Sequence, residues 1–403
     1  MRDLQRAATE SALLEAAWQR CASIGPDGTS LREVASDAGC NHALVARYFG
    51  SKDGLVAAVV DRLEQRVDAA AEAALECGGD PLVELLATAR DSRSCVQLLV
   101  RAGLGDLGES GFHAATHATR VLSTIQPGAT TGERGAFRSR LCTYGAASLV
   151  LGWLTYDEFV STAVRLRAVS RERRDGAIAA AAHRVMSVAN STGPSLTGTL
   201  RVDPSLVGAH DQVATSAREA LVAAAVELFA IHGPASVSVR AVARHAGVNQ
   251  GLIYRHLGSK QALVAAAFEL GSSDLFPAAL APEGFDIDTV IHQIHHGARA
   301  PRLIARILVD DVDITEVRDQ FPILRQLLGA YQRVPTGARG AGLTDPRVVV
   351  AASTCMAMGS VIYGHDLRQE LGLPDDGSVE VAIADLCRVL LAEPLGADGA
   401  NVS

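Results

Sequence analysis

Residues 30–52 of this chain return as residues 238–260, and the register between the copies is a constant 208 positions without a gap. The first copy reads SLREVASDAGCNHALVARYFGSK and the second SVRAVARHAGVNQGLIYRHLGSK. The chain's only two lysines, Lys52 and Lys260, hold the same place in both; every other strong base is arginine. A repeat at this interval means that whole domains, rather than short structural units, have been duplicated. At 403 residues the chain is long enough for two domains or four small ones.

Each copy reads as three short helices. The first spans roughly Ser11 to Ala22, and Ala217 to Ile231, with apolar residues at helical spacing, and is ended by Gly25-Pro26 or Gly233-Pro234. Ser30 and Ser238 are positioned as N-caps of the second helix. Its inward positions are Val34, Ala35 and Ala38, or Val242, Ala243 and Ala246. Gly39 and Gly247 make a turn, and Asn41 and Asn249 cap a third helix. Helix, short glycine turn, helix is the helix-turn-helix pattern, whose second helix enters the major groove of DNA.

The block AGVNQGLIYRHLGSKQAL, residues 246–263, resembles the signature of TetR/AcrR-family regulators. The resemblance covers about residues 8–60 and 216–268. It implies an all-α chain of two TetR-like units, each a helix-turn-helix module followed by a helical ligand-sensing and dimerisation body. The two units would form an intramolecular pseudo-dimer. The expected divisions are 1–60, module one; 61–190, body one; 191–211, a Ser/Thr/Gly/Pro-rich linker; 212–268, module two; 269–395, body two; and 396–403, a tail.

In the second copy Gln250 and Gly251 start the recognition helix and stand at the base-reading positions. Glutamine can address adenine by paired hydrogen bonds, and glycine lets the backbone approach. Tyr254, Arg255 and His256 resemble the family's phosphate-contacting positions, and packing is the alternative role for Tyr254 and His256. Lys260, at a helix start, can face a phosphate with both its charge and the free N–H groups. Ser238, Arg240 and Asn249 complete this DNA-facing set. The corresponding set in the first copy is Ser30, Arg32, Asn41, His42, Ala43, Arg47, Tyr48 and Lys52, with His42 and Ala43 as readers. Here Ala46 replaces the tyrosine, and Tyr48 takes the histidine position.

The copies also differ in charge. Residues 238–260 carry Arg240, Arg244, Arg255 and Lys260 and no acid, whereas Arg32, Arg47 and Lys52 share residues 30–52 with Glu33 and Asp37. The net charge of −8 does not oppose a DNA partner, because a local basic patch makes the contact. Two functional readings follow. One is a ligand-responsive regulator, in the family's manner a repressor, binding an operator with unequal half-sites. The other is an interaction protein in which only the second module binds DNA and the first half serves for pairing.

The bodies share one echo: Leu149 to Tyr156 parallels Met356 to Tyr363, both apolar and rich in small residues, as a helix packed on a partner helix requires. The last helices are expected at Asp175 to Val188 and Val379 to Leu391. The resemblance implies that such late helices form a four-helix interface, here between halves of one chain; further self-association stays open. A small effector is implied too, with Tyr144, Trp153, Tyr156, Met356, Met358 and Tyr363 as candidate pocket residues against a core or interface role.

Other chemistry is poorly supported. The i, i+4 pair His113 and His117 and the cluster His292, His295, His296 have no local acidic or cysteine partner, so no metal is expected. Gly103 to Gly108 matches GxGxxG only superficially, without a preceding strand, and reads as a loop. No nucleophile elbow or phosphate loop is present, so neither an enzyme nor a cofactor is expected. The seven scattered cysteines suit a reducing cytoplasm. With no apolar run of spanning length and no secretory signal, a membrane role is not expected.

Overall fold

The computed structural model describes residues 2–90, 92–107, 114–125, 132–190, 216–273, 287–297, 299–310, 312, 324–325, 328–329 and 345–391. Every regular element among them is helical. The expected linker at 191–211, the tail and His113 lie outside the described residues.

The first half opens with α1 (Arg2–Gly28), α2 (Leu31–Asp37), α3 (Ala43–Phe49) and the long α4 (Lys52–Glu76). Its body adds α5 (Pro81–Arg90), α6 (Arg93–Gly103), α7 (Ala114–Ile125), α8 (Glu133–Ala163) and α9 (Arg171–Ser187). The second half repeats the opening as α10 (Ala217–His232), α11 (Val239–His245), α12 (Gly251–His256) and α13 (Lys260–Ser273). Then come α14 (Ile287–His292), continued as one π-helical turn over Gln293–Gly297, α15 (Ala300–Val309), α16 (Pro346–Leu371) and α17 (Ser378–Leu391). Gly25, at φ 80° and ψ 164°, is non-helical and interrupts α1 where the Gly25-Pro26 signal falls, with one short helical stretch following to Gly28; Gly233, at φ 77° and ψ 150°, caps α10 in the same way.

The centre of the molecule is the crossing of α8 on α16, flanked by α9 and α17, which pack on both and on each other. The echo seen in the sequence falls at this crossing. A Cβ on Gly152 would lie 2.0 Å from the Cys355 carbonyl oxygen, and one on Gly359 would lie 2.1 Å from that of Ser148. The two close approaches are reciprocal, so the helices meet backbone to backbone about an approximate two-fold axis. Around the crossing Thr155 Oγ1 and Tyr363 Oη lie 2.8 Å apart, and Tyr156 Oη donates to the Pro301 carbonyl at 2.8 Å. Phe159 meets Phe268 edge to face.

Helix α16 has the length and apolarity to cross a membrane, but 89% of its most apolar window is buried within the protein. The continuous run of small and apolar residues is therefore accounted for by helices on all its sides. Apolar burial is not shared equally by the modules. The core of the second, built on Leu221, Phe229, Val242 and Ile253, is continuous with the bodies. That of the first, around Leu13, Trp18, Val34, Val45 and Leu55, is a separate cluster that also takes in Cys95, Leu98 and Leu99 of α6.

The crossing sets a stability test. Gly152→Ala forces backbone apart and is expected to destabilise at the upper end of the roughly 1–3 kcal/mol typical of overpacking. Gly176→Ala, in α9 with open space around the added methyl, is expected to be neutral or stabilising by up to about 1 kcal/mol. Thermal unfolding followed by circular dichroism compares the two; equal midpoints would show that the halves do not meet as described.

Candidate nucleic-acid interface

In each module the recognition helix is launched by an asparagine. Asn41 Oδ1 accepts from the Ala43 N–H at 2.9 Å, and Asn249 Oδ1 from the Gly251 N–H at 2.8 Å. The preceding turns place Gly39 and Gly247 at φ of 65° and 67°, where a side chain would be strained. Val45 and Ile253 are fully buried and pin α3 and α12 to their modules. Ser238 Oγ caps α11 by accepting from the Ala241 N–H at 3.1 Å. Ser30 stands at the same place on α2 without a side-chain cap bond.

With the inner face fixed, the outer face of α12 is left to solvent. Gln250, Gly251, Tyr254, Arg255 and His256 are all exposed, as are Arg240 and Arg244 on α11. Tyr254 is 56% exposed, one of few large apolar side chains in that state, so neither it nor His256 is a packing residue. On α3, His42, Ala43 and Arg47 are exposed, as is Arg32 on α2. Tyr48 is half-buried, with the Arg6 guanidinium over its ring at 5.9 Å.

The two lysines are not equivalent. Lys52 Nζ donates to the Asp27 carbonyl at 3.1 Å, a tie within its own module. Lys260 is half-buried; burial lowers its pKa, and the nearby Asp310 carboxylate opposes that shift. The acids of module one are also engaged: Arg20 on α1 pairs with Glu33 at 2.8 Å and Asp37 at 2.5 Å. The Arg20 bond in turn holds the Asp37 carboxyl below its ordinary range. A count over residues 30–52 could not see this, because Arg20 lies outside that window. Its counterpart at 228 is Leu228, and the second module instead joins Glu227 to His245 at 2.7 Å and Arg299 at 2.6 Å.

The residues weighed from sequence as pocket lining or as core and interface lie elsewhere. Tyr144, Trp153, Tyr156, Met356, Met358 and Tyr363 are all buried along the seam of α8 and α16. Trp153 Nε1 donates to Asp175 Oδ1 at 2.7 Å, and Tyr144 Oη reaches the Ser360 carbonyl at 3.4 Å. None of the six lines the cavity of about 330 Å³ in the first body. That cavity is walled by apolar side chains of α4 to α8, among them Leu85, Leu99, Ala118, Val150 and Leu154, with Arg66, Thr88 and His117 as polar groups. Its signal was hard to find in sequence, because its walls come from five helices and carry no motif. Burial lowers the pKa of His117, whose Nδ1 lies 3.0 Å from Asp68 Oδ1.

Among the described residues no group of three or more His, Cys, Asp or Glu side chains is placed to hold a metal. His292 and His296 stack at 4.6 Å, while His295 Nδ1 donates to the Ile291 carbonyl at 2.9 Å.

Residues 13–59 and 221–267 each match the family described as bacterial regulatory proteins, tetR family. Over 53 residues the chain is 49% identical to an HTH-type transcriptional repressor of Mycobacterium tuberculosis and, at the same identity, to an HTH-type transcriptional regulator of Mycobacterium bovis. The match covers 13% of this chain and 28% of each relative, so the likeness is one of a module and leaves the bodies unaddressed.

Thiol chemistry checks the packing of the cavity wall. Burial pushes Cys95, at that wall, up to about 11, and Cys142 and Cys387 up to about 12, while Cys40 and Cys77 are only half-buried. With limiting iodoacetamide at pH 8, mass mapping is expected to find Cys40 and Cys77 modified first. Equal labelling of Cys95 would mean that the cavity wall is open to water.

Proposed function

Starting from a chain that carries two tetR-family helix-turn-helix domains in tandem, we propose that it is a sequence-specific DNA-binding transcriptional regulator. It works as a single-chain pseudo-dimer, in the manner of a ligand-responsive repressor. The observation that carries this reading is the pair of recognition helices, α3 and α12, each with its inner face buried and its reading positions exposed. Because the readers are His42 and Ala43 in one and Gln250 and Gly251 in the other, the operator has unequal half-sites. Joining the halves covalently replaces a bimolecular pairing by an intramolecular one.

The second module carries more of the affinity. Arg240, Arg244 and Arg255 are exposed beside its recognition helix without an acid in the segment, whereas Lys52 of the first module is spent on the Asp27 carbonyl. The apolar cavity of the first body is the effector site. Arg66 lines it and also lies over the Trp18 ring at 5.6 Å, and Cys95 and Leu99 belong at once to its wall and to the core of module one. An apolar ligand that prefers one position of these groups would shift the population toward the corresponding orientation of α3.

Selection of duplexes from a random pool, followed by footprinting, tests the reading. The expected product is two adjacent but different half-sites. On that duplex Lys260→Ala lowers affinity about tenfold and reduces the salt slope by about 1, while Lys52→Ala has less effect. A perfect palindrome, or equal losses from the two lysine variants, would contradict it.

A further inference from the structure

Beside the central crossing four charged side chains from the two halves meet, three of them buried and Asp106 half-buried. Arg101 at the end of α6 and Asp310 just after α15 are each only 1% exposed, and Arg101 Nη2 meets Asp310 Oδ1 at 2.7 Å. Reciprocally, Arg306 on α15 pairs with Asp106 in the turn after α6. Each half thus gives one guanidinium and one carboxylate, the shorter contacts cross between the halves, and Arg101 keeps a longer one, 3.4 Å, to Asp106 of its own half. Of the GxGxxG look-alike, Gly103 ends α6, residues 104–107 form this turn and Gly108 lies outside the described residues; Asp106 serves the exchange between halves.

The cluster does more than join the bodies. Arg101 Nε donates to the Ala22 carbonyl at 3.0 Å and Nη2 to that of Ser23 at 2.9 Å, both on α1 of module one. Asp310 Oδ2 accepts from the Ala235 N–H at 2.7 Å, in the turn that follows α10 of module two. Backbone of one module is therefore linked to backbone of the other through only two side chains. Both side chains lie directly against glycines at the ends of the first helices. A Cβ on Gly25 would lie 3.0 Å from Arg101 Nη1, and one on Gly233, its counterpart in the repeat, 2.6 Å from Asp310 Oδ2.

We propose that Arg101 and Asp310 are positioning residues for two-site DNA recognition: their bridge fixes the distance and rotation between the modules, and so the half-site spacing the chain accepts. The inference rests on the DNA-binding reading above. Buried charges of opposite sign, each further tied by hydrogen bonds, resist small displacements because any separation leaves an unpaired ion in the interior. A shift of one base pair moves a half-site by roughly 3.4 Å along the axis and turns it about the helix, more than such a bridge tolerates.

The experiment uses the full-length chain and the half-site pair selected from the random pool, resynthesised with spacings from two base pairs shorter to two longer, and each half-site alone. Wild type is expected to bind the selected spacing at least about tenfold more tightly than its neighbours. Asp310→Asn keeps an acceptor for Ala235 while removing the charge. It is expected to bind an isolated second half-site within about twofold of wild type while losing most of the spacing preference. Because that change leaves Arg101 buried with only its longer carboxylate contact, to Asp106 at 3.4 Å, the double variant Arg101→Met with Asp310→Asn, which removes both charges, is measured alongside and is expected to show the same flattened profile. A folded double variant that keeps the wild-type profile overturns the inference and leaves the DNA-binding reading intact. Parallel loss on the isolated half-site overturns it as well, assigning the pair to the folding of a module. A wild-type chain that selects no duplex at all instead overturns the DNA-binding reading.

Discussion

The structure depends on the contact of two glycines. Where Gly152 and Gly359 face each other, α8 and α16 come close enough that a single methyl on either would enter the partner's backbone. All else follows from that closeness. The halves share one core, the tyrosines of each reach groups of the other, and the bodies behave as a single block. A wider seam, such as larger side chains would make, would separate Arg101 from Asp310 and with them the two modules.

The modules rest on this block in different ways. The second is merged with it by a continuous apolar core and by Phe268 against Phe159. The first keeps a core of its own and is connected through α4, which runs on into the body against α5 and α7, and through α6, whose Arg101 binds the end of α1 and whose Cys95 and Leu99 wall the cavity. A duplicated sequence has thus produced one module built into the frame and one held against it. This asymmetry runs parallel to the charge difference between the copies. Removing a single member of the buried charge cluster would cost about 3–5 kcal/mol, so the joint is a strong constraint even though it is small.

Much of this was legible in the chain. The helix-turn-helix pattern, the capping asparagines and the exposed face of α12 follow from periodicity and local turn chemistry, which need no tertiary information. The parallel between residues 149–156 and 356–363 pointed to the crossing, because glycine amid small apolar residues is what close helices require. What was missed depends on residues far apart in sequence. Arg101 and Asp310 look like ordinary helix-end charges until the fold brings them together, and Arg20 pairs with Glu33 and Asp37 from the preceding helix. The aromatic and methionine side chains of α8 and α16 allow a pocket or a core by composition, and they fill a seam. The cavity lies where α4 to α8 diverge.

One polypeptide that presents two recognition helices should saturate its site alone. Native mass spectrometry of the complex with a duplex carrying both selected half-sites measures this directly. One chain per duplex, unchanged as protein concentration rises toward saturation, is the predicted stoichiometry; two chains on the same duplex, each using one module, would contradict the account.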